Sequence, residues 1–283
     1  MVNYELFDFD TAFSNYLQKW YQKNFGRFRT YDEMEDCVPD VYQLFLDEPA
    51  DFLDGEKPGE FFNNYNDPGY LINWLAEYVH QDVNVPDMLL NRISDLGESA
   101  VPELMQLLSD VNQPEELRMH LISLLREIDS TEPYPMFIDW IERWDGKDEV
   151  TENAVESLES AESLNHEITE KIKSCFENAT PSGKVSFLSI LSRDSRNADM
   201  VQHAIRLFDE SPELRIYLAS ILARFGQSSA LKSLKKAALS PDTGYLLYIE
   251  LRSAIEALGG EAPKRKFTEG DPEYDSLRSL EDQ

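Results

Sequence analysis

Cysteine is scarce in this chain: Cys37 and Cys175 are its two thiols, in a sequence of 283 residues. They are too few to staple a disulfide framework, and they fit a reducing, cytoplasmic setting. Glycine and proline are also sparse, at 12 and 14 residues. With 34 Leu against 26 Val plus Ile, that scarcity argues against an all-β fold and for helices. Histidine occurs at four positions, His80, His120, His166 and His203, spread along the chain. That scatter gives no histidine-rich metal site. Nowhere do apolar residues run to the length of a membrane-spanning helix, so no membrane span is expected. The opening Met1-Val2-Asn3-Tyr4-Glu5 lacks the basic-then-apolar pattern of a secretory leader. Glycine-rich phosphate loops and dinucleotide fingerprints are missing, and no cofactor is expected.

Basic residues are outnumbered. There are 26 Lys and Arg against 54 Asp and Glu, a net charge of −28. Residues 1–180 carry −27 of that total. A field of this sign repels nucleic acid and anionic lipid and attracts basic proteins or cations. Aromatic residues divide the chain elsewhere: 19 of the 32 Phe, Trp and Tyr lie in residues 1–80. The break predicts an aromatic-rich, acidic helical subdomain at 1–82, a repetitive region at 83–259 and a polar tail at 260–283.

Within the first region, Phe9, Phe13, Tyr16, Leu17, Trp20 and Tyr21 recur at helical spacing behind Asp8 or Asp10 as cap. Helices are also predicted from about Pro39 to near Pro49 and from about Pro68 to Val79. Gly55 is suited to positive φ, and Pro58 to the first turn of a helix. From residue 84 the pattern pairs up, at 86–96 with 99–109, 114–128 with 134–144, and 148–161 with 164–178. The pairs continue at 181–193 with 197–209 and 211–225 with 228–239, and an unpaired helix follows at 242–258. Leu96-Gly97, Phe225-Gly226 and Leu258-Gly259 mark helix ends where glycine adopts the left-handed conformation. A period near 32 residues is the mark of a helical solenoid.

The residues Leu96-Gly97-Glu98-Ser99-Ala100-Val101-Pro102-Glu103-Leu104 resemble the turn and second-helix start of HEAT repeats. Pro114-Glu115-Glu116-Leu117-Arg118 and Ser211-Pro212-Glu213-Leu214-Arg215 are similar to repeat first helices. The resemblance covers about 84–258; units 148–178 and 181–209 depart from it by lacking the Leu-Gly turn. It implies an all-α fold, a right-handed alpha-alpha superhelix of HEAT-like pairs. It also implies a protein-interaction scaffold whose second helices line a concave face. On those helices the non-apolar positions include Glu103, Asp139, Glu142, Glu167 and Glu170, followed by Arg206, Lys232, Lys235 and Lys236. The five carboxylates are the expected contact for a basic protein partner.

Candidate chemistry is thin. Asp8-Phe9-Asp10 has the spacing of a phosphatase aspartate pair, but no buried strand precedes it, and a helix cap is the expected role. His166-Glu167-Ile168-Thr169-Glu170 misses the zinc-protease pattern because Glu170 stands where the second imidazole is needed. In the acidic run 47–60, Ala50 and Phe52 occupy positions where a calcium loop needs oxygen ligands. No catalytic residue and no metal ligand are assigned. Two rivals to the scaffold stay open. One is an enzyme using carboxylates or a divalent cation in the N-terminal acidic region. The other is a nucleic-acid-acting HEAT protein using Arg193, Arg196, Arg206, Arg215 and Arg224.

Overall fold

The computed structural model describes residues 4–28, 30–265, 267 and 274, and among these every regular element is helical. Two compact units divide the chain, Met1–Pro133 and Tyr134–Gln283. In the first unit the helices are α1 (Phe9–Asn24), α2 (Tyr31–Glu35), α3 (Val38–Asp47), α4 (Pro68–His80), α5 (Asp87–Asp95), α6 (Val101–Leu108) and α7 (Glu115–Glu127). The second unit contains α8 (Tyr134–Arg143), α9 (Glu149–Ser160), α10 (His166–Cys175), α11 (Pro181–Leu191), α12 (Val201–Glu210), α13 (Arg215–Phe225), α14 (Leu231–Ala238) and α15 (Tyr245–Ala257).

Several helix starts carry side-chain caps. Thr11 donates its backbone N–H to Asp8 Oδ1 at 2.9 Å and its hydroxyl to Oδ2 at 2.6 Å, so Asp8 is the predicted cap of α1. Asp67 caps α4 and Asn165 caps α10 in the same way, accepting from Tyr70 N at 2.7 Å and Ile168 N at 2.9 Å. Three helix ends are marked by glycine as predicted: Gly97, Gly226 and Gly259 have φ of +57°, +67° and +74°. Pro58 departs from expectation. It lies buried in a turn rather than opening a helix, because Gly59 donates its N–H to the Leu46 carbonyl at 3.0 Å and docks the segment against α3. The short α2 had no apolar periodicity to announce it; Thr30 caps it, and Tyr31 is 84% exposed.

The aromatic residues of the first unit build its core. Residues 4–8 lie along α4, where Trp74 Nε1 donates to the Glu5 carbonyl at 3.0 Å and Phe7 N–H donates to the Tyr78 hydroxyl at 3.1 Å. Phe9, Phe61, Phe62 and Trp74 are buried, and their rings meet in edge-on and tilted pairs. α4 then packs on α5, α6 and α7, so the aromatic segment and the first helices of the repetitive region share one unit.

In the second unit α9, α11, α13 and α15 touch each other in succession, while α8 packs on α10 and α12 on α14. α11 approaches α8 closely at Gly183, where a Cβ would come within 2.3 Å of the Ile141 carbonyl. Beyond α15 the chain folds back. The Tyr248 hydroxyl donates to the Pro263 carbonyl at 2.8 Å, and Arg265 donates to the carbonyls of Ser240 and Pro241 at 2.7 and 3.1 Å. Apart from residues 267 and 274, the rest of the predicted polar tail lies outside the described residues.

Candidate interaction surfaces

Glu103 sits on α6 in the first unit, half-buried beside Gly69 and Asn73 of α4 in a small cleft of about 230 Å³. The other four predicted contact residues are in the second unit, Asp139 and Glu142 on α8 and Glu167 and Glu170 on α10. Two of those four are bound to lysines. Lys171 Nζ lies 2.9 Å from Asp139, joining α10 to α8. Lys173 lies 3.7 Å from Glu170 and 3.1 Å from Asp199. Glu142 and Glu167 have no cationic partner among the described residues.

Polar cross-links also join helices further along this unit. Arg206 of α12 reaches Glu177 at 2.7 Å, and Glu177 also lies 3.4 Å from His203 Nε2. The Arg206 hydrogen bond holds the Glu177 carboxyl below its usual range. Ser233 of α14 donates to Asp209 of α12 at 2.9 Å. On the first helices, Ser189 of α11 donates to Glu159 of α9 and accepts from Arg224 of α13 at 2.9 Å. The predicted stripe is therefore part carboxylate and part internal ion pair.

The arginines singled out for nucleic acid are also engaged within the unit. Arg196 is paired with Asp194 at 2.5 Å, Arg215 donates to the Phe208 carbonyl at 3.0 Å, and Arg193 reaches the Ala161 carbonyl at 3.5 Å. Of the residues weighed for other chemistry, His166 occupies the first position of α10 behind its Asn165 cap. Cys175 is a free, half-buried thiol whose pKa is pushed up by burial. In the acidic run, Gly55 N–H and Leu53 N–H both donate to the Ala50 carbonyl at 3.0 Å, and Gly55 has the expected positive φ, +88°. Among the described residues no group of three or more His, Cys, Asp and Glu side chains is placed to hold a metal.

A groove of about 600 Å³ lies in the first unit. One wall is a single face of α1, with Ala12, Asn15 and Tyr16 at helical spacing; the other is the segment from Phe45 to Phe52. Phe7, Tyr16, Phe45 and Phe52 provide the apolar lining. The rings of Phe45 and Phe52 are stacked at 6.5 Å, and Tyr16 lies 5.6 Å from Phe45. Asp8, Glu48 and Asp51 are exposed around that lining, with Lys19 the cation among the lining residues. Burial, reinforced by a hydrogen bond to Glu48, pushes the Tyr16 hydroxyl up to about 12. Sequence reasoning missed this groove. The helical spacing of Ala12, Asn15 and Tyr16 was available, but their pairing with Phe52 depends on the turn at Pro49.

No family model, no curated protein and no solved structure matches this chain.

Proposed function

We propose that this chain is a non-enzymatic protein-binding scaffold with a basic protein as its partner, and that its helix pairs are HEAT-like units of a right-handed superhelix. The architectural part is supported by the second unit, where first helices neighbour first helices in succession.

The observation that carries the partner class is the charge of the first unit. Residues 1–133 contain 27 Asp and Glu against 8 Lys and Arg, a net of −19. Of those eight cations, Lys57 is bound to Glu60, and Arg92 to the Tyr65 carbonyl and Asn66. A field of this strength speeds encounter with a basic protein and opposes nucleic acid. On the predicted stripe, Glu142 and Glu167 are the carboxylates that a partner's cations would meet first, since Asp139 and Glu170 already face lysines.

Capture from native lysate on the intact chain, followed by salt elution, tests the proposal. The expected partner is basic and is released as ionic strength rises past about 0.15 M, where the Debye length falls below ~8 Å. An acidic partner, or one retained whatever the salt, overturns it.

A further inference from the structure

We propose that the groove between α1 and the Phe45–Phe52 segment receives a large apolar side chain from a basic segment of the partner protein, with Lys or Arg on either side of that anchor. The inference rests on the basic-partner reading and adds the place and manner of contact.

Three observations carry it. Phe52 is 37% exposed although its ring is stacked on buried Phe45, so an aromatic face is held rigidly open to solvent. A fixed aromatic surface in a concavity is what an apolar anchor needs, because little side-chain entropy is lost on contact. The rim is of the sign that selects the flanking residues: Asp8, Glu48 and Asp51 surround the lining, against Lys19 alone among the lining residues. An acidic segment would bring its charges against three carboxylates and be rejected. Finally, the groove belongs to the unit of net charge −19, whose field draws cationic segments toward it over distances that a short-range apolar contact cannot reach.

The wall also explains why the lining stays open. Asp8 is tied to Thr11 at the start of α1, and the 50–56 turn is closed by Ala50 N–H donating to the Glu56 carbonyl at 2.9 Å. Both walls are therefore set by backbone and cap geometry before any ligand arrives.

The test is selection of binders to the intact chain from a random displayed dodecapeptide library. Each selected peptide is then measured by fluorescence anisotropy against the parent chain, Phe52→Ser, the double variant Glu48→Lys/Asp51→Lys, and a Glu98→Lys control, a charge reversal of the same unit outside the groove lining. Selected peptides should carry an aromatic or large aliphatic residue between Lys or Arg. Both groove variants should weaken them about tenfold or more, and Glu98→Lys should not. The substituted side chains are exposed, and circular dichroism checks that each variant keeps its helix content.

Basic peptides that bind all variants equally would sink the groove while leaving the basic-partner reading intact. Acidic or uncharged winners would sink both. No enriched peptide overturns the groove, as does tryptamine binding as tightly as the peptides, which would mark a small-molecule site.

Discussion

Lys171 on α10 spans to α8 twice, its ammonium pairing with Asp139 at 2.9 Å and donating to the Pro135 carbonyl at the same distance. One side chain thus adds a hydrogen bond to a first-turn carbonyl of α8 and pairs with a carboxylate predicted to face a partner. The lysine side chain is 32% exposed and that of Asp139 50% exposed, so water screens much of the attraction. Lys171→Ala should cost no more than about 1 kcal/mol of stability by denaturant melting. It should also strengthen capture of a basic partner by releasing Asp139. Weaker capture from a folded Lys171→Ala protein would show that this stripe does not face the partner.

Gly226 and Gly97 differ from Gly183 in what an added methyl group meets. At Gly97 nothing lies within 4 Å, and at Gly226 the nearest atom is at 4.0 Å, so the cost of alanine is backbone strain at positive φ alone. Each should lose roughly 1 kcal/mol. Gly183→Ala drives a Cβ to within 2.3 Å of the Ile141 carbonyl and must separate α11 from α8. Its loss should be larger, about 2 kcal/mol or more. Equal melting temperatures for the three variants would contradict this ordering.

Tyr248 is 7% exposed and donates its hydroxyl to Pro263 beyond the last helix. Tyr248→Phe should destabilise by about 1 kcal/mol, since it removes the donor and leaves the carbonyl behind. Amide exchange should then rise most at the end of α14 and in residues 260–265. A uniform rise along the chain would show that the returning segment does not stabilise this end.

Tyr78 is buried beneath Phe7, and burial pushes its hydroxyl up to about 12 from the ordinary value near 10. The folded state therefore keeps this proton more tightly than the unfolded state does. Its contribution is fully present below pH 10 and is lost as pH rises toward 12. Tyr78→Phe should flatten the fall in stability across that alkaline window, followed by tyrosinate absorbance and helix content together. A fall of unchanged steepness in the variant would assign the alkaline transition to other groups.

Much of the helix plan is legible from local physics. The apolar spacing from Phe9 to Tyr21 gives α1, Asp8 and Asp67 give its start and that of α4, and the Leu-Gly and Phe-Gly steps give helix ends. Each of these depends on residues within a few positions of one another, where the 3.6-residue period and the cost of positive φ act directly. The burial of Pro58 was not legible, because it depends on Gly59 meeting the Leu46 carbonyl from another element.

The candidate surfaces divide on the same line. Net charge and its concentration toward the first half are properties of the sequence alone, since ionisation of exposed carboxylates needs no fold. Which carboxylates remain open to a partner was decided by tertiary structure. Lys171 and Lys173 are visible in the sequence beside Glu167 and Glu170, but only the register of α10 against α8 brings Lys171 to Asp139. The groove is likewise tertiary, since Phe52 becomes an exposed aromatic wall only where the turn after Pro49 brings it onto Phe45 and opposite α1. Charge is additive along a chain, whereas a concavity or an ion pair exists only between elements whose contact is set by packing.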